Sequence, residues 1–229
     1  MMTSIADELL LLGYDDEGEP AVGQPALDYA LSGAVLVELA LAGRIGIADS
    51  SVEVLHEEPT GDAVVDAALA QIGADGRRRT PNDWIGRLSD GLREQLLRRQ
   101  IEAGVLRREE GKVLWVFPHA TYPTVDGGTP ATEVATRRRL ASALDGDGPD
   151  EPYTAALCGL VAAAGLERHV FPDRPVKDVR RRLKEIADGD WATAAVKQAI
   201  DEVHGAIVVA STAATTGAVV ARRANPAVR

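Results

Sequence analysis

The 229-residue chain has a single cysteine, Cys158. An internal disulfide cannot form and a thiolate metal cluster has no donors, which points to a reducing, cytoplasmic setting. Histidine is nearly as scarce. His56, His119, His169 and His204 are spaced too widely for a local ligand pair, so no metal site is expected. Aromatic residues make up only 4% of the chain, and with so few strand-favouring side chains helix is the expected material. The amino terminus has no basic start, and Asp7 and Glu8 flank its first apolar run, unlike a secretory signal. Also missing are a phosphate-binding Gly-Lys-Ser/Thr loop, a dinucleotide glycine fingerprint, a nucleophile elbow and paired helical histidines. No catalytic residue and no cofactor are expected. An enzyme acting on a lipid or nucleotide would rest on one anomalous arginine alone.

Charge is plentiful but uneven. The net charge is −10, and residues 1–75 hold 15 acids against one base, Arg44. Residues 76–229 hold 24 bases and 20 acids, so an acidic face and a mildly basic face are expected if the two regions stay apart. The overall sign argues against a nucleic-acid partner. Of the 25 bases 21 are arginine, and 77–79, 137–139 and 180–182 are basic triplets that together could ring an anionic surface.

Residues 34–42 (AVLVELALA) are apolar all round except for Glu38, which predicts a buried helix closed by Gly43 as a left-handed cap. Thr60 or Asp62 is placed to cap a helix over AVVDAALAQI. Thr80, Pro81 and Asp83 form a further helix start. On a wheel of 92–103, Leu92, Leu96, Leu97 and Ile101 define an apolar arc with Arg93 and Gln100 in its middle. Such an arginine needs a carboxylate, a phosphate or a route to water. Glu38 is one candidate partner, and an anionic ligand is the sharper alternative.

Residues 107–117 read as a β-hairpin with its turn at Glu110-Gly111. Its second strand would place Val113, Trp115 and Phe117 on one face and Leu114 and Val116 on the other. That strand is either buried between layers or, projecting from a helical body, an interaction surface. Helices are expected over 153–166, 176–188 and 192–221. The uncharged stretch 205–221 is shorter than the ~20 apolar residues of a membrane span and contains Thr, Ser and Gly, so a central core helix is expected. The acidic loop 145–152 reads as a connection inside a single domain, 1–229. A winged-helix-like DNA-binding protein is the alternative, since 92–117 scans as helix, turn and wing beside Arg98, Arg99, Arg107 and Arg108.

The words ELLLLGYDDEG, SGAVLVELALAGRI, PTGD, NDWIGRLS and LREQLLRRQIEAGVL, in this order and spacing, resemble the Golgi phosphoprotein 3 family. The resemblance runs from about Leu9 to the C-terminus. It implies a mainly α fold: a compact helical bundle around a buried hydrophobic helix, with a projecting β-hairpin. It also implies a non-enzymatic peripheral membrane adaptor that binds phosphatidylinositol 4-phosphate and protein partners. The family's headgroup positions fall on Gly23, Ser32, Asp90 and Arg93, of which only Arg93 keeps the cation. The family's hairpin, used for membrane contact and self-association, falls on Val113, Trp115, Val116 and Phe117. An anionic lipid headgroup and a protein partner are the implied ligands. The Arg-rich, Lys-poor composition suggests a bacterial relative, cytoplasmic or peripheral at the inner face of the membrane.

Overall fold

The computed structural model describes residues 4–113, 117–146, 151–189 and 192–224. Among them are ten helices and two small antiparallel hairpins. Helix α1 (Ile5–Leu12) starts at Ser4, whose hydroxyl accepts the Asp7 amide, and all of its residues are buried. Helix α2 (Gln24–Leu41) has Pro25 in its first turn and buried side chains on every side, as the sequence predicts. Gly43 follows it with φ of +67°, the left-handed conformation that closes a helix most cheaply with glycine.

Strands β1 (Ile45–Ala48) and β2 (Ser51–Val54) pair from Ile45↔Val54 to Ala48↔Ser51. The Asp49-Ser50 turn between them has both φ angles positive, the twist a two-residue hairpin requires. Of the two candidate caps of α3 (Ala63–Ala74), Asp62 accepts the Val64 and Val65 amides, while the Thr60 hydroxyl donates to Asp66. Helix α4 (Pro81–Leu88) opens with the expected Thr80 cap, completed by Asp83 into a capping box.

After α5 (Leu92–Glu102), strands β3 (Glu109–Val113) and β4 (Phe117–Thr121) pair from Glu109↔Thr121 to Val113↔Phe117. This corrects the sequence reading of the hairpin. Glu110-Gly111 lies within the first strand and Val113 ends it, rather than beginning the second. The reason is at the base, where Leu106 bridges Thr124 and the Arg107 guanidinium donates to the Thr124 and Val125 carbonyls. Pinning 106 to 124 centres the connection on 115, not on 110–111. That connection, 114–116, includes Trp115 and Val116 and lies outside the described residues. So does the middle of the acidic loop, 147–150.

The remaining helices are α6 (Ala131–Asp145), α7 (Pro152–Ala164), short α8 (Glu167–Val170), α9 (Val176–Ala187) and α10 (Ala194–Ala224). Helix α2 packs against α1, α3, α4, α5, α7 and α10, and one apolar core runs through them. Two glycines admit α10 to this core. A Cβ on Gly33 of α2 would lie 2.4 Å from Ile207 Cδ1, and one on Gly159 of α7 would lie 2.1 Å from His204 Cε1. Burial holds the His204 imidazole near a pKa of about 4, opposed by a hydrogen bond to the Ala156 carbonyl.

Helix α10 is the other departure from expectation. Ala199, Ile200, Val203, Ala206 and Ile207 are buried, but Val208 is 50% and Val209 61% exposed. Among the described side chains the uncharged stretch is therefore core on one face only, that of Ala206 and Ile207, in a helix packed against α2, α4 and α7.

The Gly159 contact sets a test. Gly159→Ala is expected to lose about 1–3 kcal/mol of unfolding free energy through overpacking. Gly86→Ala in α4, where a Cβ meets open space, is expected to gain about 0.5–1 kcal/mol from helix propensity. Urea denaturation of both variants measures this. Equal behaviour would show that α10 does not seat on α7 as described.

Candidate functional site

The arc of Leu92, Leu96 and Leu97 buries α5 against the body and carries Arg93 half under the surface beside α2. Only 12% of the Arg93 side chain is exposed. Its Nε donates to Asp28 Oδ1 at 2.6 Å, its Nη1 to the Tyr14 hydroxyl at 3.4 Å, and its Nη2 faces Glu94 Oε1 at 3.4 Å. Tyr14 stacks edge-on against Tyr122 with ring centres 6.0 Å apart. Burial raises the Asp28 carboxyl above its usual range and Arg93 pulls it back down. Burial likewise raises the Tyr14 phenol. The partner of Arg93 is therefore Asp28, not Glu38.

Of the other three headgroup positions two are exposed and one is buried. Gly23 is the exposed N-cap of α2 and Asp90 is exposed ahead of the left-handed Gly91. Ser32 is fully buried, its hydroxyl donating to the Asp28 carbonyl at 2.9 Å. Among the described residues no hydrogen bond or ion pair joins Gly23, Ser32 or Asp90 to Arg93. With Asp28 and Glu94 around one guanidinium, and that guanidinium already bonded, the cluster holds no cation free for a phosphate. Sequence reasoning missed Asp28 and Tyr14. The wheel showed that Arg93 needed a carboxylate, but nothing local distinguishes Asp28 from the other acids.

A second polar cluster, unforeseen, surrounds the start of α1. Asp7 Oδ1 accepts from Arg99 Nε at 3.0 Å and from Gln100 Nε2 at 2.7 Å, while Asp7 Oδ2 lies 2.6 Å from Arg99 Nη2. The same guanidinium reaches Asp62 at 2.7 Å, so the α3 cap and α1 share one arginine. Glu8, also buried, is met by Arg139 of α6. Glu38, the charge on the buried helix, accepts the Ile5 amide at 3.1 Å. Burial pushes its carboxyl up to about 7; the Ile5 bond and Arg99 lower it, and Asp62 and Asp7 add to the rise.

The hairpin is held at its base, and its described strands pack mainly against each other. Gly18, with φ of +78°, comes so close to Tyr122 and Pro123 that a Cβ would lie 2.3 Å from Pro123 N, and the Tyr122 amide donates to the Gly18 carbonyl. His119 meets Glu19. The acidic turn after α1 thus anchors β4. Nothing here supports the DNA-binding alternative. Arg107 and Arg108 pair with Glu109 and Glu110, and Arg99 is consumed by Asp7 and Asp62. The basic triplets are mostly spent too: Arg78, Arg79, Arg137, Arg139, Arg180, Arg181 and Arg182 all have carboxylate partners. The expected acidic and basic faces are not separate, because acids of the first third pair with bases of the rest. Cys158 is buried, its thiol pushed up to about 12 by desolvation, which leaves it unreactive. Among the described residues no group of His, Cys, Asp and Glu is placed to hold a metal ion, and no helix is long and apolar enough to cross a membrane.

The family model described as Golgi phosphoprotein 3 (GPP34) matches residues 5–203. Vacuolar protein sorting-associated protein 74 of Eremothecium gossypii is 30% identical over 166 residues, covering 62% of this chain and 49% of its own. Its namesake in Schizosaccharomyces pombe is 26% identical over 166 residues, covering 62% of this chain and 48% of its own. The chain thus spans about half the length of the curated relatives it matches.

Glu38 gives the cluster at α1 a pH signature. Its carboxyl is raised on folding, so folding takes up a proton; the stabilisation is complete below the unfolded pKa near 4.5 and is lost as pH rises through about 7. Glu38→Gln keeps an acceptor for the Ile5 amide without the charge. The stability of the variant relative to the wild type should therefore rise by on the order of 2 kcal/mol between pH 5 and pH 8. Denaturation at the two pH values measures it, and a difference that stays flat would remove the assignment.

Proposed function

Because the chain belongs to the Golgi phosphoprotein 3 family, we propose that it is a non-enzymatic adaptor that docks reversibly on a membrane surface through the β3–β4 hairpin. The observation that carries this reading is the hairpin itself, fixed at its base by Arg107 and the Gly18–Tyr122 contact, its described strands packed mainly against each other. In the sequence Trp115 and Val116 fall in the connection between the two strands, with Val113 ending β3 and Phe117 starting β4. Tryptophan suits the boundary between headgroups and acyl chains. Two aromatic side chains burying roughly 150–250 Å² each, at about 25 cal/mol per Å², contribute roughly 8–12 kcal/mol before losses on immobilisation. That is comparable to one acyl chain, which gives reversible attachment.

The Arg93 cluster supports hairpin docking over headgroup capture. Binding a monophosphorylated inositol headgroup there would require breaking the Asp28 pair and placing a phosphate beside Asp28 and Glu94, both unfavourable. The surface recognised is thus a lipid interface, with an anionic headgroup a minor contributor. The names of the relatives tie those proteins to protein sorting, and the matching role for this chain is to hold a protein partner at the membrane, the chain itself being cytoplasmic.

Co-sedimentation with vesicles of phosphatidylcholine, of phosphatidylcholine with phosphatidylserine, and of phosphatidylcholine with phosphatidylinositol 4-phosphate tests the proposal. Trp115→Ala with Phe117→Ala should weaken partitioning by about tenfold or more on each vesicle. Arg93→Met should leave it unchanged on all three. If no vesicle binds the wild type, membrane docking is wrong. A loss confined to Arg93→Met on the phosphoinositide vesicles would reinstate the headgroup pocket.

A further inference from the structure

The cleft between α7, α9 and α10 has a volume of about 700 Å³ and includes no residue of the hairpin or of the Arg93 cluster. Sites for small ligands fall in the range of roughly 300–1,000 Å³. Helix α7 lines the cleft with Gly159, Ala162 and Ala163, and α10 with His204, Gly205 and Val208. Apart from His204 and Val208 these are the smallest side chains, which offer apolar contact without filling the space between the two helices.

One polar group at the cleft lacks its partner. The His204 imidazole is seated where Gly159 has no Cβ, and it bonds the Ala156 carbonyl. A carbonyl only accepts, so the ring nitrogen facing it carries the proton. Nε2 is buried and has no hydrogen-bond partner among the described residues, which makes Nδ1 the bonded nitrogen. Burial lowers the pKa of the ring to about 4, so at neutral pH Nε2 is a bare lone pair. The two nitrogens point away from each other across the ring. With Nδ1 turned to Ala156, Nε2 faces the next turn of α7, where Ala162 and Ala163 line the cleft. Buried acceptors in folded proteins are nearly always met by a donor, and the chain supplies none here.

We propose that this cleft binds a small neutral molecule with a compact apolar ring and a hydroxyl that donates to His204 Nε2. The lone pair selects a donor; a carboxylate or phosphate would set acceptor against acceptor. The glycine and alanine walls suit a flat ring passing between two helices. The charges on the walls cancel, since Arg180 and Lys184 are matched by Asp188 and Asp201. Arg180 is in addition held by Glu167, and Asp201 faces Lys197. An ion of either sign would gain from one pair and lose to the other, whereas a neutral ligand does neither. The site stands independently of docking through the hairpin.

Phenol and toluene, alike in shape and differing in the hydroxyl, are the probes, and the ring nitrogens of the full chain labelled with ¹⁵N are the readout. His204 is recognised in long-range proton–nitrogen spectra as the ring still neutral at about pH 5. Phenol should bind in the millimolar range or tighter and move Nε2 saturably to lower shift, as accepting a hydrogen bond does. Toluene should bind about tenfold or more weakly and leave Nε2 in place. Gly205 is exposed and a Cβ there meets open space, so Gly205→Leu narrows the cleft without touching the core. That variant should weaken phenol binding about tenfold or more while melting no lower than the wild type. No saturable shift with phenol overturns the inference, as does equal binding of toluene. An Nε2 already at the hydrogen-bonded shift without a probe, and unmoved by phenol, overturns it by assigning the lone pair to a buried water. Phenol binding indifferent to Gly205→Leu overturns it by placing the probe elsewhere.

Discussion

A helix that is apolar on every side cannot rest on a surface; it has to be surrounded. Helix α2 imposes that requirement on the rest of the chain. Its buried positions run from Leu27 to Ala40 around the whole circumference, and α1, α3, α4, α5, α7 and α10 are arranged as its cover. Each fully buried Leu or Val contributes roughly 1.5–3 kcal/mol, so leaving any side open would cost more than a domain has to spare. The glycines at 33 and 159 follow from the same demand. Six neighbours fit around one helix only if some of them approach closely, and α10 does so where α2 and α7 lack a Cβ.

Surrounding α2 forces carboxylates inward, and the arginines answer that. Asp7 and Glu8 are carried under the surface by a helix that is itself part of the cover, and an unpaired buried carboxylate costs several kcal/mol. Arg99 and Arg139 meet them from α5 and α6. A buried pair of this kind adds little net stability over a well-packed apolar pair, but it penalises every arrangement that separates the partners. The uneven charge of the sequence is therefore a pairing pattern between the first third and the remainder, not a map of the surface. Asp28 with Arg93 and Asp75 with Arg79 belong to the same pattern.

The legible parts of the sequence were those governed by local rules. The all-round apolarity of 34–42, the Gly43 closure and the Thr80-Pro81-Asp83 start need only a few consecutive residues to be read, and each is found. What escaped depends on residues far apart. The hairpin register is decided by Leu106 and Thr124, so a Glu-Gly pair that looks like a turn ends up inside a strand. The β1–β2 hairpin was missed because its turn, Asp49-Ser50, has positive φ without a glycine to announce it. Arg93 was identifiable as needing a partner, whereas its identity required knowing that the start of α2 lies beside the start of α5. The exposure of Val208 and Val209 was hidden for a similar reason: composition shows that a segment is apolar, not whether neighbours suffice to cover it.

These two features, covered helices and consumed arginines, limit how such a protein can recognise anything. Electrostatic capture needs cations whose charge is not already committed, and here the guanidinium with the strongest claim to a ligand is bonded to Asp28 with Glu94 beside it. A ligand phosphate would have to displace a carboxylate that is nearer, fixed in place and already desolvated, which costs more than one charge-assisted hydrogen bond returns. Recognition then falls to surfaces where apolar area is left over and backbone hydrogen bonds are already satisfied. A two-stranded hairpin meets the second condition by its own pairing, and a helix meets it by its ladder. That is why the chain's capacity for association is expected on β3–β4 rather than in a polar pocket, even though arginine is so abundant in its sequence.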